Sequence, residues 1–253
     1  MFNGRGTLKT LKTLKTVLRL CVTGLFLVLA GAQGVWAQGT PAVAPTTPAG
    51  PAYGVTYIEA LPGSSAKVLV ALRSLRAASS KADGSLRFEA LQRRERPNHF
   101  AIIEAWKDAS AFEASLASAP RKQFRAQIQP LLAAGYDERP HNGMSVGDMS
   151  AAASAKGVAV YTVTHVDFIP PKKDEGIAAI QKLAGPSRSE SGNLRYEVLQ
   201  QNNRPNHLTL MEAWKDHEAL EAHESAAHTV HFRDISTPMS GALFDQRLYR
   251  VVE

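Results

Sequence analysis

Apolar and polar positions follow one order along this chain and then follow it again. Val55–Leu61 and Ala159–Ile169 are rich in β-branched and aromatic residues and stop at a proline, so each predicts a strand. Ala66–Ala78 carries Leu69, Leu72 and Leu75, and a later stretch carries Ile177, Ile180 and Leu183; both have the spacing of a helix face. Leu86–Arg93 and Phe100–Trp106 predict two further strands. Pro97-Asn98 between them is turn chemistry, so the two form a hairpin. Asp108 and Asp216 stand where a helix N-cap belongs. Helical pattern continues to about Leu132, bent or split at Pro120 in the first half, and a short last strand includes Tyr136 or, later, Phe244.

The repetition is exact in register. Sliding the chain by 108 residues lays GSLRFEALQ (Gly84–Gln92) on GNLRYEVLQ (Gly192–Gln200). Arg96-Pro97-Asn98-His99 meets Arg204-Pro205-Asn206-His207, and Glu104-Ala105-Trp106-Lys107-Asp108 meets Glu212-Ala213-Trp214-Lys215-Asp216. Across Gly84–Asp108, 15 of 25 positions are identical, which identifies an internal repeat. Each copy has the order β-α-β-β-α-β, the ferredoxin-like arrangement. Phe100–Trp106 is apolar on both faces apart from Glu104, so it is covered on both sides. Helices cover one face of a small sheet, and the other copy's sheet must cover the second. The expected fold is therefore α+β: two tandem ferredoxin-like units forming a dimeric α/β barrel within one chain. The expected segments are a signal peptide (1–37), a Pro/Ala-rich tether (38–52), domain 1 (53–141), a linker (142–157) and domain 2 (158–253).

Charge changes the picture only after the N-terminus is set aside. The net charge of +6 suggests an anionic partner. Five of the 29 basic residues, Arg5 to Arg19, precede residue 38 and no acidic residue does, leaving 24 basic against 23 acidic. That near-neutral body carries no footprint for nucleic acid. The basic start, the apolar run Leu20–Ala32 and Val35-Trp36-Ala37 read as an export signal cleaved before Gln38, with Ala30-Gly31-Ala32 as a second site. The expected location is periplasmic or secreted, with no membrane attachment after cleavage. Cys21, the single cysteine, leaves with the signal, which excludes disulfides and thiolate chemistry from the mature protein.

The pattern Asn-His-Phe-x-x-x-Glu-x-Trp-Lys-Asp at 98–108 recurs in copy two with Leu208 for the Phe. It is followed there by His-x-x-x-x-His-x-x-x-Phe, from His223 to Phe232. Together these resemble the antibiotic biosynthesis monooxygenase (ABM) domain, including its quinol monooxygenase branch. Members are usually homodimers of one such domain, so the resemblance implies a fused dimer here. It also implies oxygenation of a small aromatic or quinol-like substrate by O₂, with no metal and no organic cofactor. It places the positions of His223 and His228 near the cavity.

From the residues themselves, Leu220, His223 and Ala227 share a helix stripe that points inward, toward core or pocket. A hydrogen-bonded core histidine and a base that ionises a substrate hydroxyl both fit His223. Copy one has Ser115 and Pro120 where copy two has His223 and His228, which favours one working pocket governed by copy two. Tyr196, Trp214 and Phe232 are candidate apolar walls. Asn206 and His207 are candidate donors to a developing oxyanion, although turn geometry also accounts for Pro205-Asn206. Glu104 and Glu212 need partners if buried, and Arg87 and Arg195 are the expected ones. Among His217, His223, His228 and His231 only His228/His231 has a helical ligand spacing, so no metal site is predicted. A non-catalytic periplasmic binding protein for a small hydrophobic ligand or heme is the alternative, and further association of fused units stays open.

Overall fold

Both halves fold in the predicted order. The computed structural model describes residues 50–147 and 159–252, so the export signal, most of the tether and the linker from residue 148 onward lie outside the described residues. Copy one runs β1 (Ala52–Glu59), α1 (Ser65–Ser79), β2 (Ser85–Arg93), β3 (His99–Trp106), α2 (Ala109–Ala117), α3 (Ala119–Ile128) and β4 (Asp137–Ser145). Copy two runs β5 (Val160–Asp167), α4 (Lys173–Arg188), β6 (Asn193–Gln201), β7 (His207–Trp214), α5 (His217–Ser225), α6 (Ala227–Ser236) and β8 (Asp245–Val251). Tyr136 and Phe244 immediately precede the last strands, and β4 continues to Ser145, inside the stretch read as linker.

Local chemistry explains the boundaries. Asp108 and Asp216 cap α2 and α5, accepting from Ala111 N at 2.7 Å and Ala219 N at 2.8 Å. Gly84 and Gly192 hold φ of +75° and +93° in the turns before β2 and β6, the left-handed region open to glycine. The second helical stretch is split in both copies, not only at Pro120. Ser118 and Ala226 are extended, with ψ of 154° and 141°, so the break does not need the proline.

The eight strands close into a barrel in the order β1-β3-β2-β8-β5-β7-β6-β4, with β4 returning to β1. Edge pairing of β2 with β8 and of β4 with β6 joins the copies. Alternation then sorts side chains into two compartments. Phe100, Ile102 and Trp106 face the helices of copy one, as Leu208, Leu210 and Trp214 face those of copy two. Val55, Ala101, Ile103, Val163, Met211 and Ala213 meet inside the barrel.

The expected pairing of Glu104 with Arg87 and of Glu212 with Arg195 is corrected by register. Phe88 lies opposite Glu104 and Tyr196 opposite Glu212, so each arginine points to the other face of the sheet. Inside the barrel the arginines pair across the copies. Arg87 grips Glu197 bidentately at 2.9 and 2.7 Å, and Arg195 Nη1 lies 2.8 Å from Glu89 Oε2. The four residues are two pseudo-symmetric pairs, 108 positions apart. Arg87→Met alone should destabilise the fold by about 3–5 kcal/mol, because it strands a buried carboxylate. Arg87→Met combined with Glu197→Leu should recover most of that loss, and urea denaturation of the single and double variants measures both.

Candidate functional site

The break between α5 and α6 is what builds the site. His223 lies in the last turn of α5 and His228 in the first turn of α6, and the extended Ala226 folds them back until their rings lie 6.0 Å apart. Glu190, just beyond the end of α4, enters between them. Its Oε1 accepts from His223 Nδ1 at 2.6 Å and from His228 Nε2 at 2.7 Å. The break also shifts the helical phase: Ala227 is exposed, and Thr229 and Phe232 take the inward positions instead.

His223 is 3% exposed and held on every side. Its ring stacks on Trp214 at 4.6 Å and meets the edge of Tyr196 at 5.6 Å. Its Nε2 lies 3.8 Å from Glu212 Oε2, which also accepts from Trp214 Nε1 at 2.8 Å. Burial raises the Glu212 pKa, opposed by His223 and by the Trp214 hydrogen bond. His228 is half-buried and reaches a groove of about 420 Å³ between α4 and α6, with Leu183, Phe232, Ile235 and Met239 as apolar walls. His223 lies behind His228, away from that groove.

Copy one solves the same problem differently. Ala82, Ser115 and Pro120 occupy the places of Glu190, His223 and His228. Glu104 accepts from Trp106 Nε1 at 2.9 Å and from Arg121 Nη2 at 2.5 Å. Arg121, whose counterpart is Thr229, is fully buried and also donates to Ser115 Oγ at 3.3 Å. The small residues leave a cavity of about 590 Å³ beside Trp106, where copy two is filled by its Glu/His/His group.

The structure brings together His223, His228, Tyr196, Trp214 and Phe232 and places Asn206 and His207 elsewhere. Asn206 Nδ2 donates to Asp167 Oδ1 at 2.9 Å and to Phe168 O at 3.0 Å, tying the hairpin to β5. Asn98 does the same to Ala60 O at 2.9 Å in copy one. His207 faces the barrel interior, one strand position out of phase with the helix-facing Glu212 and Trp214. There it lies 3.3 Å from His165 Nδ1, at a mouth of about 620 Å³ that Arg139 and Arg247 also line. Glu190 and Arg121 escaped the sequence reading. Their signal was the 108-residue offset itself, which sets Glu190 against Ala82 and Arg121 against Thr229.

Histidines of the barrel interior are held neutral. Burial pushes His141 down to about 4, and burial with the Arg139 and Arg247 charges pushes His165 down to about 3. Unfolded histidine titrates near 6.5, so the unfolded chain binds more protons between about 6.5 and those values. The contribution is fully present above pH ~6.5 and is lost as pH falls. Each group adds up to ~1.4 kcal/mol per pH unit in that window. Urea titrations at pH 7 and 4.5 should show this loss, and His165→Gln should reduce it.

The profile of the family described as antibiotic biosynthesis monooxygenase matches residues 51–127 and 159–235, once in each copy. YcnE of Bacillus subtilis, provisionally named a monooxygenase, is 34% identical over 64 residues, 25% of this chain and 67% of that protein. An uncharacterised Synechocystis protein, sll1783, is 26% identical over 106 residues, 41% of this chain and 72% of its own. Among solved structures, a provisionally named monooxygenase of Fusobacterium nucleatum superposes with a TM-score of 0.74 at 18% identity, over 81% of this chain and 94% of its own. An anthrone oxidase-like protein superposes at 0.61 with 12% identity, covering 81% and 92%. At those identities the structural likeness shows the fold alone.

Proposed function

Since the chain belongs to the antibiotic biosynthesis monooxygenase family, its two copies forming one barrel, we propose that it oxygenates a small phenolic or quinol-like molecule with O₂. The substrate lies along the α4/α6 groove of copy two. Its hydroxyl is ionised at the Glu190–His223–His228 cluster. Ionisation is the step that matters, because a phenolate yields an electron to O₂ far more readily than the phenol.

One observation carries the reading: three chemistry-bearing side chains absent from copy one converge at 2.6 and 2.7 Å beside an apolar groove. Such a groove offers a ring an apolar surface, and the cluster at its end supplies the polar contact that orients a hydroxyl. Trp214 and Tyr196 fix His223, and Phe232 forms part of the groove wall.

An oxygen electrode with a panel of quinols and phenols tests this. Wild-type protein should consume O₂ with at least one of them. His228→Ala should reduce the rate by about 100-fold or more, the scale of losing a group that transfers a substrate proton, and His223→Ala should lower it too, by removing the partner that holds Glu190 against His228. Ser115→Ala, the matching change in copy one, should leave the rate within about twofold. Tight binding of panel compounds without O₂ consumption in any form would instead make the protein a binding module and overturn the oxygenase reading.

A further inference from the structure

We propose that Glu190, His223 and His228 form a binding site for one divalent first-row transition ion, of the zinc or iron(II) class. The proposal rests on the preceding reading for the use of the site, not for its existence, and it departs from the metal-free chemistry that the family resemblance implies.

The donor set is two imidazoles and one carboxylate, a combination suited to zinc and to iron(II) with positions left open. Their ligating atoms all lie within 4.8 Å of one another. Both imidazole nitrogens, His223 Nδ1 and His228 Nε2, already point at the same carboxylate oxygen, at 2.6 and 2.7 Å. Around a tetrahedral ion with bonds of roughly 2.0–2.1 Å, ligand atoms stand about 3.3 Å apart. To admit one, Glu190, just beyond a helix end and half-buried, has to withdraw by less than about 1 Å, and the two imidazole nitrogens, within 4.8 Å of each other, have to settle at the same spacing.

Four further features fit an ion. Copy one lacks a ligating side chain at all three positions, so the donors occur as a set. The second nitrogen of His223 faces the Glu212 carboxylate at 3.8 Å, and a ring shift of under about 1 Å would bring it to the hydrogen bond that stands behind a ligating histidine. Stacking on Trp214 fixes the plane of that ring. The His228 side borders the groove, so a substrate oxygen has access to an open position. The sequence hid this set because His223 and His228 are five apart across a helix break and Glu190 precedes both by more than 30 residues.

Co(II) is the probe. The full chain, stripped with a chelator and titrated with Co(II), should bind one equivalent and develop visible ligand-field bands, and Zn(II) should compete. Glu190→Ala and His228→Ala should each weaken binding by at least about 100-fold. Glu212→Gln should weaken it by about 10–100-fold through His223. His217→Ala, at an exposed His217/Glu221 pair 3.4 Å apart, should change nothing. Circular dichroism confirms that each variant is folded. No stoichiometric binding, or binding unchanged in folded Glu190→Ala and His228→Ala, overturns the site. The readout needs no turnover, so the two readings fail separately. One tight equivalent of Co(II) without O₂ consumption keeps the metal site and removes the oxygenase. Undiminished O₂ consumption by stripped protein that binds no Co(II) does the reverse.

Discussion

A carboxylate on the central strand of each copy, buried behind a tryptophan, demands a positive or proton-donating neighbour. Glu104 and Glu212 sit on the helix-facing side of β3 and β7, both at 2% exposure or less. Each accepts from the indole two residues on. One neutral hydrogen bond does not satisfy a desolvated carboxylate, and leaving it otherwise unpaired is costly. Copy one supplies Arg121, a permanent charge. Copy two has Thr229 there and supplies His223, which approaches from the other helix. Replacing arginine by histidine exchanges a fixed ion pair for a group that can bind a proton, a metal or a neighbouring carboxylate.

That exchange is confined to one face of the sheet. Inside the barrel the pseudo-symmetry is kept, with Arg87–Glu197 matched by Arg195–Glu89 and both pairs crossing between copies. A buried pair of this kind constrains both partners, since losing either one strands the other. The interior therefore holds the copies in register while the helix-facing compartments diverge. Fusion into one chain permits this, because a homodimer would have to carry the same residues on both sides.

Much of the fold was legible in the sequence. The 108-residue offset, the strand Phe100–Trp106 with two apolar faces, and the caps Asp108 and Asp216 led to a fused barrel of two ferredoxin-like units. The partners of the buried glutamates were not legible, because strand register decides them and it places Phe88, not Arg87, opposite Glu104. The site was half legible. His223, His228, Trp214, Tyr196 and Phe232 do gather, but Asn206 and His207 follow the alternation of β7 and the hairpin turn into another compartment. Glu190 lay beyond the reach of helical periodicity, since it enters from a loop. His223 and His228 gather only because of a helix break at Ala226 that no proline announces.

The proposed chemistry of copy two depends on the exchange of partner around Glu212. The double substitution His223→Ser with Thr229→Arg tests it most directly, by giving Glu212 the serine and arginine that surround Glu104. Because copy one already folds around that set, the variant should melt close to the wild type and lose quinol-dependent O₂ consumption. Retention of that consumption at the wild-type rate would mean that the partner of Glu212 does not govern the chemistry.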